Sequence, residues 1–284
     1  MNNIVKWNCP GNDNRDLPKE IIEQEFRVLE DSKFLADIMK SEYLQGKELR
    51  LPLVKNMVAA VCGAGIKRKN NAWICGDYCC KNLDDIESID FNLFHYPEMQ
   101  AILECMEICN AMDGTLPIEL EIDAPFSVLG ALINPACLFT AARKESDRLK
   151  EIIKKITKCE LEYIEAMVDR GCKVISLTDS IGELELVGKK FYMEFSGDAV
   201  MSLINGCDEF LDKSLLHLCG RTSCSLAQAG LIEIQNMEMK AADYTEALFK
   251  ASSDSQIRVV GNRCIHNKNY NGELFTVKLL NSHI

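Results

Sequence analysis

Apolar residues at Ile21, Ile22, Phe26, Leu29, Phe34, Leu35 and Ile38 recur at helical spacing. Pro18 suits the first turn of such a helix and Gly46 its stop, so residues 17–45 predict an N-terminal helical layer. Between Leu51 and Gly65 the pattern decides nothing, while the run 72–76 reads as an early strand. Beyond Pro97 the periods alternate. A helix over 98–112 precedes a strand over 116–122, and Asp123-Ala124-Pro125-Phe126 leads into further helix. A long helix is expected from 142 to 170, closed by Gly171, with Glu145, Asp147, Arg148 and Lys150 on a solvated face. Then come a strand over 173–179, a helix over 190–205, a strand over 215–218 and a short helix near Ser225. Strand 231–234, helix 241–251 and strand 257–260 complete the series.

Five strands after residue 115, each separated by helix, are the pattern of right-handed βαβ units around a parallel sheet. The economical architecture is an α/β barrel; a doubly wound sheet is the alternative. Neither a Gly-x-Gly-x-x-Gly after a strand nor a Gly-Lys-Ser/Thr phosphate loop is present to decide between them. No low-complexity linker divides the chain, so residues 1–284 are expected to form one domain, with 1–70 an N-terminal helical extension and 71–284 the barrel. A chain of 284 residues can bury about three quarters of its unfolded surface.

Charge narrows the function. Asp and Glu number 43 against 32 Lys and Arg, a formal charge of −11, the wrong sign for neutralising nucleic-acid phosphates. No run approaches the roughly 20 apolar residues of a membrane span, and Met1-Asn2-Asn3-Ile4 lacks the charged start of a secretory signal. No nucleic acid, no membrane and a cytoplasmic location are therefore expected. The 14 cysteines are scattered through apolar runs, as reduced, small core residues would be; adjacent Cys79 and Cys80 belong with these structural thiols.

Reactive residues collect at the C-terminal ends of the strands. Asp123 ends the first of them, Asp179 and Ser180 the second, His217 and Cys219 the third, and Asn262, Arg263 and Cys264 the last. In a barrel these ends meet at one mouth, where active sites lie. His217 and Cys219, two apart on a strand, project to one face, and with Cys264 they supply the three nitrogen and sulfur ligands of a catalytic zinc site. Cys224 is a rival third ligand. Asp179 is a catalytic carboxylate or, equally in its setting before Ser180 and Gly182, a helix cap; Asp123 and Asn262 are substrate-binding candidates. His266 orients the site, binds the metal itself or is a plain loop histidine, His95 and the terminal His283 belong to the surface, and Glu183 and Glu185 to a solvated face.

The runs Ile122-Asp123-Ala124-Pro125-Phe126-Ser127 and Ile175-Ser176-Leu177-Thr178-Asp179-Ser180, then His217-Leu218-Cys219-Gly220 and Val260-Gly261-Asn262, occur in the order of the uroporphyrinogen decarboxylase superfamily, over about residues 80–264. His-x-Cys-Gly resembles its cobamide-dependent branch, the methylcobamide:coenzyme M methyltransferases. The resemblance implies a TIM-type (β/α)8 barrel, here shortened at its C-terminus, zinc held by one histidine and two cysteines, and a zinc-bound thiolate that takes the methyl group from methylcobamide on a partner corrinoid protein. The implied acceptor is a small-molecule thiol. The chain is short for that family, and the segment around Cys264 fits either its Gly-Asn strand or its later Gly-Cys strand; in the first case 275–279 is the closing strand. Two rivals stand beside methyl transfer: decarboxylation of a tetrapyrrole-like acid, against which the N-terminus offers no arginine-rich clamp, and a non-catalytic zinc- or corrinoid-binding module.

Overall fold

The computed structural model describes residues 49–51, 56–69, 72–112, 118–266 and 270–280. The helix expected over 17–45 lies outside them. Nine strands are found among the described residues: β1 (Leu49–Leu51), β2 (Gly65–Lys69), β3 (Ala72–Asp77), β4 (Ile118–Asp123), β5 (Cys172–Thr178), β6 (Leu215–Cys219), β7 (Ile232–Glu238), β8 (Val259–Arg263) and β9 (Glu273–Leu279). Strands β2 and β3 form an antiparallel hairpin of their own. The other seven make one sheet in the order β1-β4-β5-β6-β8-β9-β7. Strands β1, β4, β5, β6 and β8 run parallel. β9 pairs antiparallel with both β8 and β7, so the sheet is mixed rather than wholly parallel. Its strand ends are not joined into a closed barrel among the described residues.

The helices are α1 (Met57–Val61), α2 (Leu83–Glu87), α3 (Pro97–Met112), α4 (Pro125–Leu132), α5 (Pro135–Lys144), α6 (Ser146–Asp169), α7 (Leu184–Val187), α8 (Lys189–Phe191), α9 (Gly197–Cys207), α10 (Gly220–Ala229) and α11 (Tyr244–Ser252). The single helix expected over 142–170 is broken: Glu145, at φ −137° and ψ 42°, leaves the helical region. It closes α5 through its N–H to the Ala141 carbonyl at 2.7 Å and opens α6 through its carbonyl to the Leu149 N–H at 3.0 Å. Arg148, on a solvated face as expected, gathers Asp84, Glu87 and Glu145 there and ties α6 to α2. The helix expected over 190–205 is interrupted by a π-helical turn, Tyr192–Ser196, where the ladder widens by one residue. Gly197 follows because a Cβ there would sit 2.5 Å from the Tyr192 ring.

Strand alternation separates two unlike faces. Leu120, Ile122, Ile175, Leu177, Leu216 and Leu218 share one face and join α4, α6 and α9 in the main core. Full burial of each such side chain is worth about 1.5–3 kcal/mol. The opposite face carries Glu119, Glu121, Asp123, Val174, Ser176, Leu215 and His217, by their register. In a closed barrel this would be the interior; here α11 lies against it, with Tyr244, Leu248 and Ala251 packed on Val174, Leu215 and Val260.

Candidate functional site

Asp179 is densely hydrogen-bonded at the strand ends. It is 2% exposed, just past β5. Its Oδ1 accepts from Ser127 Oγ at 2.7 Å and from the Gly182 N–H at 3.1 Å; Ser196 Oγ lies against Oδ2. Its own N–H donates to Thr222 Oγ1 at 2.9 Å. Three elements converge here because each has a local reason to: Pro125 starts α4 and places Ser127 in its first turn, the π turn ends on Ser196, and α10 begins directly behind Cys219. Gly182 is required by close approach, since a Cβ would stand 2.1 Å from Ser196 Oγ and 2.3 Å from Asp179 Oδ2. Burial pushes the Asp179 carboxyl above the usual range, against the hydrogen bonds from Ser127, Ser196 and Gly182 that pull it back. Ser196 Oγ also lies 2.7 Å from the Gly182 carbonyl. A protonated Asp179 satisfies this chain completely: its carboxyl proton goes to Ser196, whose own proton goes to Gly182.

His217 is fully buried on β6. Nδ1 stands 2.9 Å from Ser176 Oγ and Nε2 3.1 Å from the Arg263 carbonyl. A carbonyl only accepts, so in the neutral ring Nε2 carries the proton and Nδ1 accepts from the Ser176 hydroxyl. Cys219, two residues on, is opposite Arg263 of β8, and Cys264 follows directly, so the fold brings all three predicted ligands to adjoining strand ends. Both cysteines are buried. Among the described residues no three His, Cys, Asp or Glu side chains are arranged to hold one metal ion. The thiol of the rival ligand Cys224 lies 3.7 Å from Asn262 Oδ1.

The other candidates are more dispersed. Asp123 ends β4, where the Asn56 amide nitrogen, in the orientation that satisfies its neighbours, donates to both carboxylate oxygens at 2.9 and 2.5 Å. Asn262 takes a left-handed conformation, φ 59°, one that asparagine tolerates, and its N–H donates to Ser223 Oγ at 2.7 Å. His266 pairs with Glu121 at 3.1 Å, both side chains largely buried, so it is no plain loop histidine. His95 is exposed as expected and pairs with Asp90. Glu185 is exposed, but Glu183 is not solvated: its side chain is 13% exposed and binds Arg221 at 3.0 Å.

Tyr244 is absent from the sequence-based candidates and belongs with them. Its ring meets His217 edge-on at 5.8 Å between centroids, and Arg263 sits 5.9 Å from its centre. Its buried hydroxyl has no hydrogen-bond partner among the described residues, and burial pushes the phenol above its ordinary range. Only tertiary packing of α11 brings it here. Ser127 and Ser176, by contrast, stand inside runs that the sequence singles out.

An α/β sheet with its buried polar groups at the C-terminal strand ends defines the class, and the comparisons define the family. The family model for uroporphyrinogen decarboxylase (URO-D) matches residues 57–263, and the chain belongs to that family. It is 26% identical over 183 residues to methylcobamide:CoM methyltransferase MtbA of Methanosarcina mazei, covering 63% of this chain and 53% of that protein. To methylcobamide:CoM methyltransferase MtaA of Methanosarcina barkeri (strain Fusaro) it is 22% identical over 225 residues, covering 77% of this chain and 65% of that one. The chain thus spans between half and two thirds of these relatives' length. A solved methyltransferase from Methanosarcina mazei superposes with a TM-score of 0.58 at 18% identity, over 74% of this chain and 64% of the other; that likeness concerns the fold. Among the described residues no helix is long and apolar enough to cross a membrane.

Proposed function

We propose that this chain moves a methyl group from a methylated corrinoid protein to a thiol-type acceptor. The observation that carries this reading is His217-Leu218-Cys219 at the end of β6, beside Cys264 past β8, in a chain similar to methylcobamide methyltransferases. One imidazole and two thiols have the donor chemistry of a three-ligand zinc site. His217, Cys219 and Cys264 would hold the ion, and it would supply the deprotonation that turns an acceptor thiol into a thiolate near neutral pH.

The protein's own groups would do the rest. For His217 to bind through Nε2, that nitrogen must leave the Arg263 carbonyl and its proton must move to Nδ1. Ser176 can follow this change because a hydroxyl both donates and accepts, holding the ring in either tautomer as supporting groups of metal-bound histidines do. Tyr244 closes the face above His217 and limits access of water. Asp123 and Asn262 would contact the substrate, and Asp179 would serve as the site's carboxyl group. The domain is taken as a single α/β unit of barrel type.

Purified protein is expected to bind about one zinc per chain, and Cys219→Ser to lose both the metal and the ability to consume methyl-cobalt(III), followed by its visible spectrum with a thiol present. A metal-free protein that still consumes methyl-cobalt(III) would overturn the reading. Ser176→Ala is expected to weaken zinc affinity about 10–100-fold, measured by competition with a chromogenic chelator.

The second reading is a non-catalytic module of a methyl-transfer complex. It is favoured by the engagement of both His217 nitrogens within the protein. Consumption of methyl-cobalt(III) by substoichiometric protein would exclude it.

A further inference from the structure

Away from the strand-end residues, Cys79 and Cys80 place their sulfurs 3.6 Å apart. The two thiols are unlike. Cys79 is exposed, whereas Cys80 is 5% exposed. Cys80 is anchored, its N–H donating to the Leu132 carbonyl at 3.0 Å and its backbone bridging to Ile133 at the end of α4. The Cys79 thiol lies 3.8 Å from both the Cys62 and the Leu132 carbonyl oxygens, weak contacts that leave it free to turn toward a reagent.

We propose that Cys79 and Cys80 form a reversible dithiol site that reacts with low-molecular-weight disulfides, Cys79 as the entry thiol and Cys80 as the resolving one. In the first step the Cys79 thiolate attacks one sulfur of R–S–S–R; a Cys79–S–S–R bond forms and R–S⁻ leaves. Cys80 then gives its proton to solvent and attacks the Cys79 sulfur, forming the Cys79–Cys80 disulfide and expelling the second R–S⁻. Two protein thiols are oxidised and one external disulfide is reduced to two thiols.

Two features set the behaviour of the site. Burial, with Cys79 alongside, pushes the Cys80 thiol up to about 12 in the reduced pair; burial, the largest cause, persists in the mixed disulfide, so the thiolate stays scarce and the second step is the slow one. Adjacent Cα atoms stand about 3.8 Å apart, whereas bridged cysteines usually stand about 4.4–6.8 Å apart. The closed ring is therefore strained and readily reduced, as labile rather than structural disulfides are.

The test treats the whole folded chain with oxidised glutathione, quenches with an alkylating agent, and maps the cysteines by peptide mass. The expected product lacks two hydrogens, has Cys79 and Cys80 both protected, and reverts with excess thiol. A glutathione adduct on Cys79 precedes it, and its resolution speeds up as pH rises. Cys80→Ser is expected to stop at a stable Cys79 adduct, and Cys79→Ser to leave Cys80 alkylated only after unfolding. The proposal fails if wild type stops at the Cys79 adduct, if Cys79 pairs with Cys62 or Cys75, or if neither thiol reacts.

Discussion

Asp179→Ala is expected to destabilise the protein by about 2–4 kcal/mol, while Asp179→Asn leaves stability within about 1 kcal/mol of wild type. Alanine removes the acceptor for Ser127 Oγ and the Gly182 N–H and the partner of Ser196. Burying donors without acceptors costs about 1–3 kcal/mol for each group, partly relieved where Ser127 and Ser196 turn to other neighbours. Asparagine has the shape of the protonated acid. Its Oδ1 can keep Ser127 and Gly182, and its Nδ2 can donate to Ser196, which still reaches the Gly182 carbonyl. Urea unfolding of the three proteins checks the order. Equal losses for Ala and Asn would mean that the charged carboxylate, rather than its hydrogen-bonding shape, holds the node. If the carboxyl group takes part in methyl transfer, Asp179→Asn lowers kcat with the fold intact, separating catalysis from architecture.

What the sequence disclosed and what it hid have physical reasons. Strands β5, β6 and β8 were legible because Ile175, Leu216 and Val259 sit in short apolar stretches bounded by polar ends, and β4 because Ile118, Leu120 and Ile122 alternate with acidic residues. The polar residue at each of those ends was legible for the same reason, and His217, Cys219 and Cys264 do reach adjoining positions. Strand direction was not legible: Glu273–Leu279 alternates like any half-buried strand, and its antiparallel course between β8 and β7 depends on where the preceding turn sends it. The break at Glu145 was hidden because apolar spacing continues across it into Leu149, Ile152 and Ile153. The Gly182 contact of Asp179, three residues on, is the local one the sequence suggested, whereas Ser127, Ser196 and Thr222 lie at distances along the chain that no local period encodes.

Glu160 gives the other large effect, in the dependence of stability on pH. It lies fully buried on the inner side of α6, and neither carboxyl oxygen has a hydrogen-bond partner among the described residues. Burial, and after it the nearby Asp123 charge, hold its carboxyl well above the usual range, so the folded protein keeps a proton that the unfolded chain releases at about pH 4.3, where a solvated glutamate titrates. Below that pH both states are protonated and the contribution to stability is fully present. As pH rises above it, the unfolded state alone loses the proton, and stability falls by about 1.4 kcal/mol per pH unit until the folded-state value is passed. Glu160→Gln stays neutral in both states and removes this slope. Urea unfolding at several pH values between 5 and 8 is therefore expected to show a variant that gains steadily on wild type as pH rises. Glu160→Met, which also removes the unsatisfied oxygens, is expected to add about 1–3 kcal/mol near neutral pH. Parallel pH profiles for wild type and Glu160→Gln would show that Glu160 loses its proton with the same affinity folded and unfolded, and that a partner for its charge lies close by.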